Sequence, residues 1–143
     1  MKKFTLILVV VMAAMFSCSN STEDAGKPSL ADIKLPAGFS ISVFAEVPNA
    51  RSLAISPSGT VFVGNRDEDK VYAVKDTNGD FVADKEWVLA SGLNMPNGVA
   101  FKDGDLYIAE VSRILRIRDV ENKLDNPGKP EMIYDQYPTE AHH

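Results

Sequence analysis

Arg51-Ser52-Leu53-Ala54-Ile55, then Ser56-Pro57-Ser58-Gly59, then Val61-Phe62-Val63-Gly64-Asn65, then Val71-Tyr72-Ala73-Val74-Lys75: this pattern is written twice in the chain. The second copy reads Asn97-Gly98-Val99-Ala100-Phe101, Lys102-Asp103-Gly104-Asp105, Leu106-Tyr107-Ile108-Ala109-Glu110 and Ile114-Leu115-Arg116-Ile117-Arg118. Both copies run apolar strand, glycine turn, apolar strand, charged turn, alternating strand. Glu86 to Ala90 closes the first copy with a fourth strand, and Glu131 to Tyr134 closes the second. The runs are short, rich in Val, Ile, Phe and Tyr, and bounded by Gly, Asp, Asn or Pro, which is the signature of strands. No segment past the N-terminal region carries a helical stripe. Four strands recurring at about 45 residues is the period of a propeller blade. The expected fold is therefore all-β: a β-propeller of which this chain covers about two blades. A small sandwich with two similar hairpins is the competing arrangement.

Working outward, Phe39 to Val47 (FSISVFAEV) alternates apolar and polar ahead of the first full copy. In a propeller such a leading strand completes the last blade and closes the ring. Two blades and a ring-closing strand cannot close a ring alone, because repeats need neighbours to bury their faces. The expectation is an N-terminal portion of a larger propeller, inactive by itself.

The first 18 residues read as an export signal. Met1-Lys2-Lys3 is basic, Leu6 to Phe16 is almost unbroken apolar sequence, and Phe16-Ser17-Cys18 follows. The run is too short for a stable membrane span. Cys18 is the single cysteine of the chain, so no disulfide forms within it, and its place resembles a lipobox whose cysteine carries a lipid. Residues 19–34 are mostly small and polar, a flexible tether. Residues 35–143 form the domain, about 110 residues and the size of one small domain. The expected location is outside the cytoplasm, lipid-anchored to a bacterial membrane and facing the periplasm or the cell surface. Net charge is −5 and the basic residues are scattered. No basic stripe with interleaved aromatics exists, so nucleic acid is not an expected partner.

Three further groups of residues carry chemistry. Arg51, Asn97 and His143 are equally spaced, each at the start of a blade's first strand. That strand lines a propeller's central channel, so a guanidinium, an amide and an imidazole would meet at its mouth. Imidazole titrates near neutrality and suits a general base. Asn97-Gly98 is equally good turn chemistry, Arg51 also suits a solvated surface, and the terminal His142-His143 pair also suits the stub of a tag. Second, Asp76, Asn78, Asp80 and Asp84 place oxygens at the spacing that opens a calcium loop. Phe81 stands where that loop has glycine, and Trp87 where it has glutamate; a polar inter-strand loop is the alternative. Third, Glu110 is the one acidic candidate for a metal-dependent propeller lactonase, but it stands at a strand end.

Leu35-Pro36-Ala37-Gly38-Phe39-Ser40-Ile41-Ser42-Val43-Phe44-Ala45-Glu46, Leu93-Asn94-Met95-Pro96-Asn97-Gly98-Val99-Ala100-Phe101 and Glu110-Val111-Ser112-Arg113-Ile114-Leu115-Arg116 together resemble the sorbosone dehydrogenase branch of the glucose/sorbosone dehydrogenase family. The resemblance implies a six-bladed propeller that holds pyrroloquinoline quinone over its channel, with calcium assisting. It implies oxidation of a sugar at its aldehyde or anomeric carbon, with electrons leaving to an external acceptor. A histidine base takes a proton while hydride passes to the quinone. In that branch a His-His-Gly-Trp stretch opens the third blade, and this sequence ends on His142-His143. Those two are the implied catalytic residues, with Asn97 and Arg51 on the cofactor. At Pro96 the sequence departs from soluble members of the family, which carry a glutamine near that position. A tethered propeller that binds carbohydrate or protein without catalysis is the non-enzymatic alternative.

Overall fold

β-Branched and aromatic side chains fit a pleated, half-buried surface, and the eight runs rich in them form strands. In the computed structural model, which describes residues 29–140, these are β1 (Ala50–Ile55), β2 (Val61–Asn65), β3 (Val71–Lys75), β4 (Lys85–Ala90), β5 (Gly98–Lys102), β6 (Asp105–Ala109), β7 (Ile114–Ile117) and β8 (Glu131–Tyr134). They make two four-stranded sheets, ordered β1-β2-β3-β4 and β5-β6-β7-β8. Every neighbouring pair is antiparallel. Among the described residues there is no α-helix, only 3₁₀ turns at Leu30–Asp32 and Val120–Lys123. The chain is thus all-β, and each repeat of the sequence is one sheet. Asp103 and Gly104 both take positive φ, 52° and 88°, the two-residue turn that matches the twist of a hairpin.

The described residues fall into two units, 29–40 and 41–140. In the first, Ser29 accepts from the Ala31 amide and Asp32 accepts back from Ser29. This capping box satisfies otherwise orphaned donors. The second unit holds both sheets. Phe62, Val71, Ala73 and Leu89 of the first sheet pack on Leu106, Ile108, Leu115 and Ile117 of the second. The Phe62 and Phe101 rings stack at 5.5 Å. A core phenylalanine of this kind is worth about 3–5 kcal/mol. Gly64 lets the sheets approach: a Cβ there would sit 2.3 Å from the Asn97 carbonyl oxygen. Close backbone approach explains a glycine inside a strand.

The opposite face of the first sheet differs from the expectation for residues 39–47. None of these residues is in a strand. A strand is defined by its ladder, and here the alternating segment has no neighbouring strand to pair with. Instead Phe44, Ala45 and Val47 cover Val63, Tyr72 and Val74, and the Phe44 carbonyl accepts from Ala83 N–H at 2.8 Å. Leu53 and Ile55, on the same face of β1, stay 62% and 66% exposed. That face of the first sheet is therefore only partly covered.

A polar tie joins the two sheets at their other end. Val120, fully buried, seats the 3₁₀ turn of the second repeat, and Glu121 Oε1 accepts from Ser56 Oγ at 2.6 Å and Thr60 Oγ1 at 3.0 Å, and from Ser58. Burial pushes the Glu121 carboxyl up, but these three hydroxyls and the nearby Lys75 charge outweigh it and hold the carboxyl below its ordinary value. A carboxyl lowered on folding contributes stability at pH above its unfolded value, about 4.3, and loses it as pH falls through the lowered one. The wild-type melting temperature should therefore fall more steeply between pH 6 and pH 3 than that of Glu121→Gln. Parallel pH curves for the two proteins would refute the tie.

Candidate functional site

The starts of β1 and β5 lie at one end of the sheets, beside the ends of β2 and β6. The four termini enclose a cleft of about 480 Å³. Arg51 and Arg66 line it from the first sheet, and Met95, Asn97 and Gly98 from the approach to β5. Ala109, Glu110 and Val111 line it at the end of β6, and Tyr137, Pro138 and Glu140 close it from the segment after β8. Arg51 and Asn97, matched positions of the two repeats, are thus brought into one concavity. Cys18, His142 and His143 lie outside the described residues.

Backbone contacts fix the rim. The Asn97 carbonyl accepts from Ser52 Oγ, and Asn65 N–H donates to the Pro96 carbonyl at 2.9 Å. Asn65 is fully buried; its Nδ2 donates to the Pro48 carbonyl at 2.7 Å and its Oδ1 accepts from Glu68 N–H at 2.8 Å. A buried amide satisfied at both ends is a rigid post, and it holds the loops on either side of Arg51 and Arg66. Met95 adopts positive φ, 48°, which turns the chain so that Asn97 reaches the rim.

Glu110 sits behind this loop with its side chain 1% exposed. It pairs with Arg113 and accepts from Asn94 N–H at 2.5 Å. Hydrogen bonding to Glu110, with the attraction of its charge, raises the Arg113 guanidinium above its ordinary value. The Glu110 charge is therefore balanced by Arg113, and Arg51 and Arg66 both line the cleft. That donor set suits a multiply carboxylated, carbonyl-rich ligand, since guanidinium groups bind carboxylates through paired hydrogen bonds. The lactonase alternative needs a carboxylate turned to a metal, and Glu110 is committed elsewhere.

The Asp76 loop joins β3 to β4 and contributes no residue to the cleft. Asp76 accepts from the amides of Asn78, Gly79 and Phe81 at 3.0, 2.7 and 2.8 Å. Those bonds, the Gly79 one foremost, hold its carboxyl below the ordinary value. Phe81 takes φ 66°, the left-handed conformation a tight loop ordinarily gives to glycine. Asp80 accepts from Val82 N–H and from the Asn78 amide, and Asp84 from Thr77. Among the described residues no three His, Cys, Asp or Glu side chains converge as a metal cage. A calcium ion here would have to draw Asp80 and Asp84 from these partners.

Sequence reasoning missed Arg66, Asn65, Gly64 and Tyr137. Gly64 had a signal, a glycine in the middle of a strand. Arg66 and Tyr137 had none, because they enter the cleft from loops whose course no periodicity encodes.

An uncharacterized protein of Borreliella burgdorferi is 23% identical over 104 residues, which are 71% of this chain and 26% of that protein. The chain spans about a quarter of the length of this curated relative. The family described as Domain of unknown function (DUF7133) matches residues 25–135. That match covers most of the chain, which therefore belongs to the DUF7133 family.

Proposed function

We propose that the chain is the N-terminal portion of a lipid-anchored, six-bladed propeller that oxidises sugars with pyrroloquinoline quinone. The observation that carries this reading is the meeting of Arg51 and Asn97 in one cleft at the strand starts. The two sequential meander sheets, packed face to face through Phe62 and Phe101, are compatible with adjacent blades. In this reading Arg51, Arg66 and Asn97 bind and orient the cofactor's carboxylates and carbonyls. The quinone supplies the hydride acceptor. His143 holds the substrate's hydroxyl proton, with His142 as the other candidate, and an external acceptor takes the electrons.

The test is reconstitution of the complete exported protein with pyrroloquinoline quinone and calcium. Reduction of an artificial dye by an aldose or a sorbosone-like substrate is the expected result. Failure of the quinone to bind would leave a tethered carbohydrate- or protein-binding propeller as the better account.

Calcium enters the proposal through Asp76, Asn78, Asp80 and Asp84. Its support is the sequence spacing and the tight turn at Phe81. Calorimetric titration of the complete protein should give saturable calcium heat that Asp80→Ala diminishes by at least one site. Equal heats in the two proteins would identify a loop closed by its own amides.

A further inference from the structure

We propose that Tyr137, braced by Tyr134, is a stacking platform for a pyranose ring at the rim of the Arg51–Asn97 cleft; this deepens the sugar-oxidising reading and rests on it for the choice of ligand. Tyr137 lines the cleft yet is 48% exposed. Its place is fixed from both sides. Its N–H donates to the Ser112 carbonyl at 3.3 Å, and its ring meets Tyr134 edge-on, with centroids 4.6 Å apart and planes at 60°. Tyr134 is itself held in β8 opposite Ile114. An aromatic ring fixed in this way loses little freedom when a ligand covers it.

A pyranose has two unlike surfaces: its ring faces carry C–H groups, and its rim carries hydroxyls. The C–H groups are weakly positive and settle on the negative face of an aromatic ring, while the hydroxyls need donors and acceptors around the edge. The cleft offers both. Tyr137, Pro138, Met95 and Val111 give apolar surface, and Glu140 gives a hydrogen-bonding group besides the Arg51 and Asn97 assigned to the cofactor. Small-molecule sites have this composition, apolar walls with a few placed polar groups. A purely apolar ligand would make no use of the polar groups that line the cleft. A small anion would make no use of the tyrosine.

The probes are glucose, galactose and xylose, and the protein is the complete exported chain. Binding is measured without cofactor by saturation-transfer NMR and calorimetry, and KM is measured in the reconstituted enzyme. Tyr137→Ala should weaken Kd or raise KM at least tenfold for a bound sugar. Tyr137→Phe, which keeps the ring, should stay within about threefold, and Tyr134→Ala should fall between them. Tyr134 and Tyr137 are both exposed, so the wild-type melting temperature should persist in all three variants. Tyr137-dependent sugar binding by a protein without dehydrogenase activity would support the platform while removing the proposed function. An active dehydrogenase whose KM is unchanged by Tyr137→Ala would overturn the platform and leave the proposed function standing. Absence of binding for all three sugars, with and without cofactor, would also overturn it.

Discussion

Replacing His143 with alanine in the complete, reconstituted protein should lower turnover by about 10²–10⁴-fold, the usual loss when a general base is removed. His143 is the third member of the series begun by Arg51 and Asn97, and those two line one cleft. An imidazole accepts a proton only when neutral, so wild-type turnover should fall in acid. The His143→Ala protein should lose that limb of the profile. Cofactor affinity should change little, because Arg51, Arg66 and Asn97 supply the proposed anchoring. This combination separates a base from a packing residue, whose loss would lower affinity or stability and leave the pH profile in place. His142→Ala is the control for register. If neither substitution slows turnover tenfold, the base lies elsewhere in the protein.

Most of the strand pattern was legible because alternation and turn chemistry are local. Val61 to Asn65 and Val71 to Lys75 appear in the fold with the bounds that the sequence gives them. The segment at residues 39–47 was not legible in this way. Its alternation marks a face that wants cover, and Phe44 and Val47 do find cover on Val63, Tyr72 and Val74. Alternation does not say whether a neighbour offers the backbone bonds that make a strand. The site was legible to the same extent. Equal spacing in a repeat protein puts Arg51 and Asn97 at equivalent places, and adjacent equivalent places share a cleft. The calcium spacing describes which oxygens are available, whereas their directions depend on competition with nearby amides. Asp76 shows the outcome of that competition, with three loop N–H groups on one carboxylate.

A large stability effect is expected at the pair behind the rim, and it should be asymmetric. Glu110 has its side chain 1% exposed, while that of Arg113 is 41% exposed. Removing Arg113 leaves a buried carboxylate with the Asn94 amide as its remaining partner in the described contacts. Breaking a buried pair from one side costs about 3–5 kcal/mol. Water around the half-exposed guanidinium screens the interaction, which places Arg113→Ala at the lower end of that range. Glu110→Gln is the milder change, since Arg113 can turn to solvent and the amide oxygen can still accept from Asn94. About 0.5–1.5 kcal/mol, the worth of an ordinary hydrogen bond, is expected there. The double replacement Glu110→Met with Arg113→Leu should recover most of the loss, because an apolar pair carries no desolvation penalty. It should still weaken cofactor binding, since the loop from Asn94 to Asn97 loses its anchor. Denaturant midpoints of the complete protein measure the stability effects, and quinone titration measures the last. A cost for Arg113→Ala no greater than that for Glu110→Gln would mean that the Glu110 carboxylate is solvated, and that the loop bearing Asn97 is held by Ser52, Asn65 and Val111 rather than by Glu110.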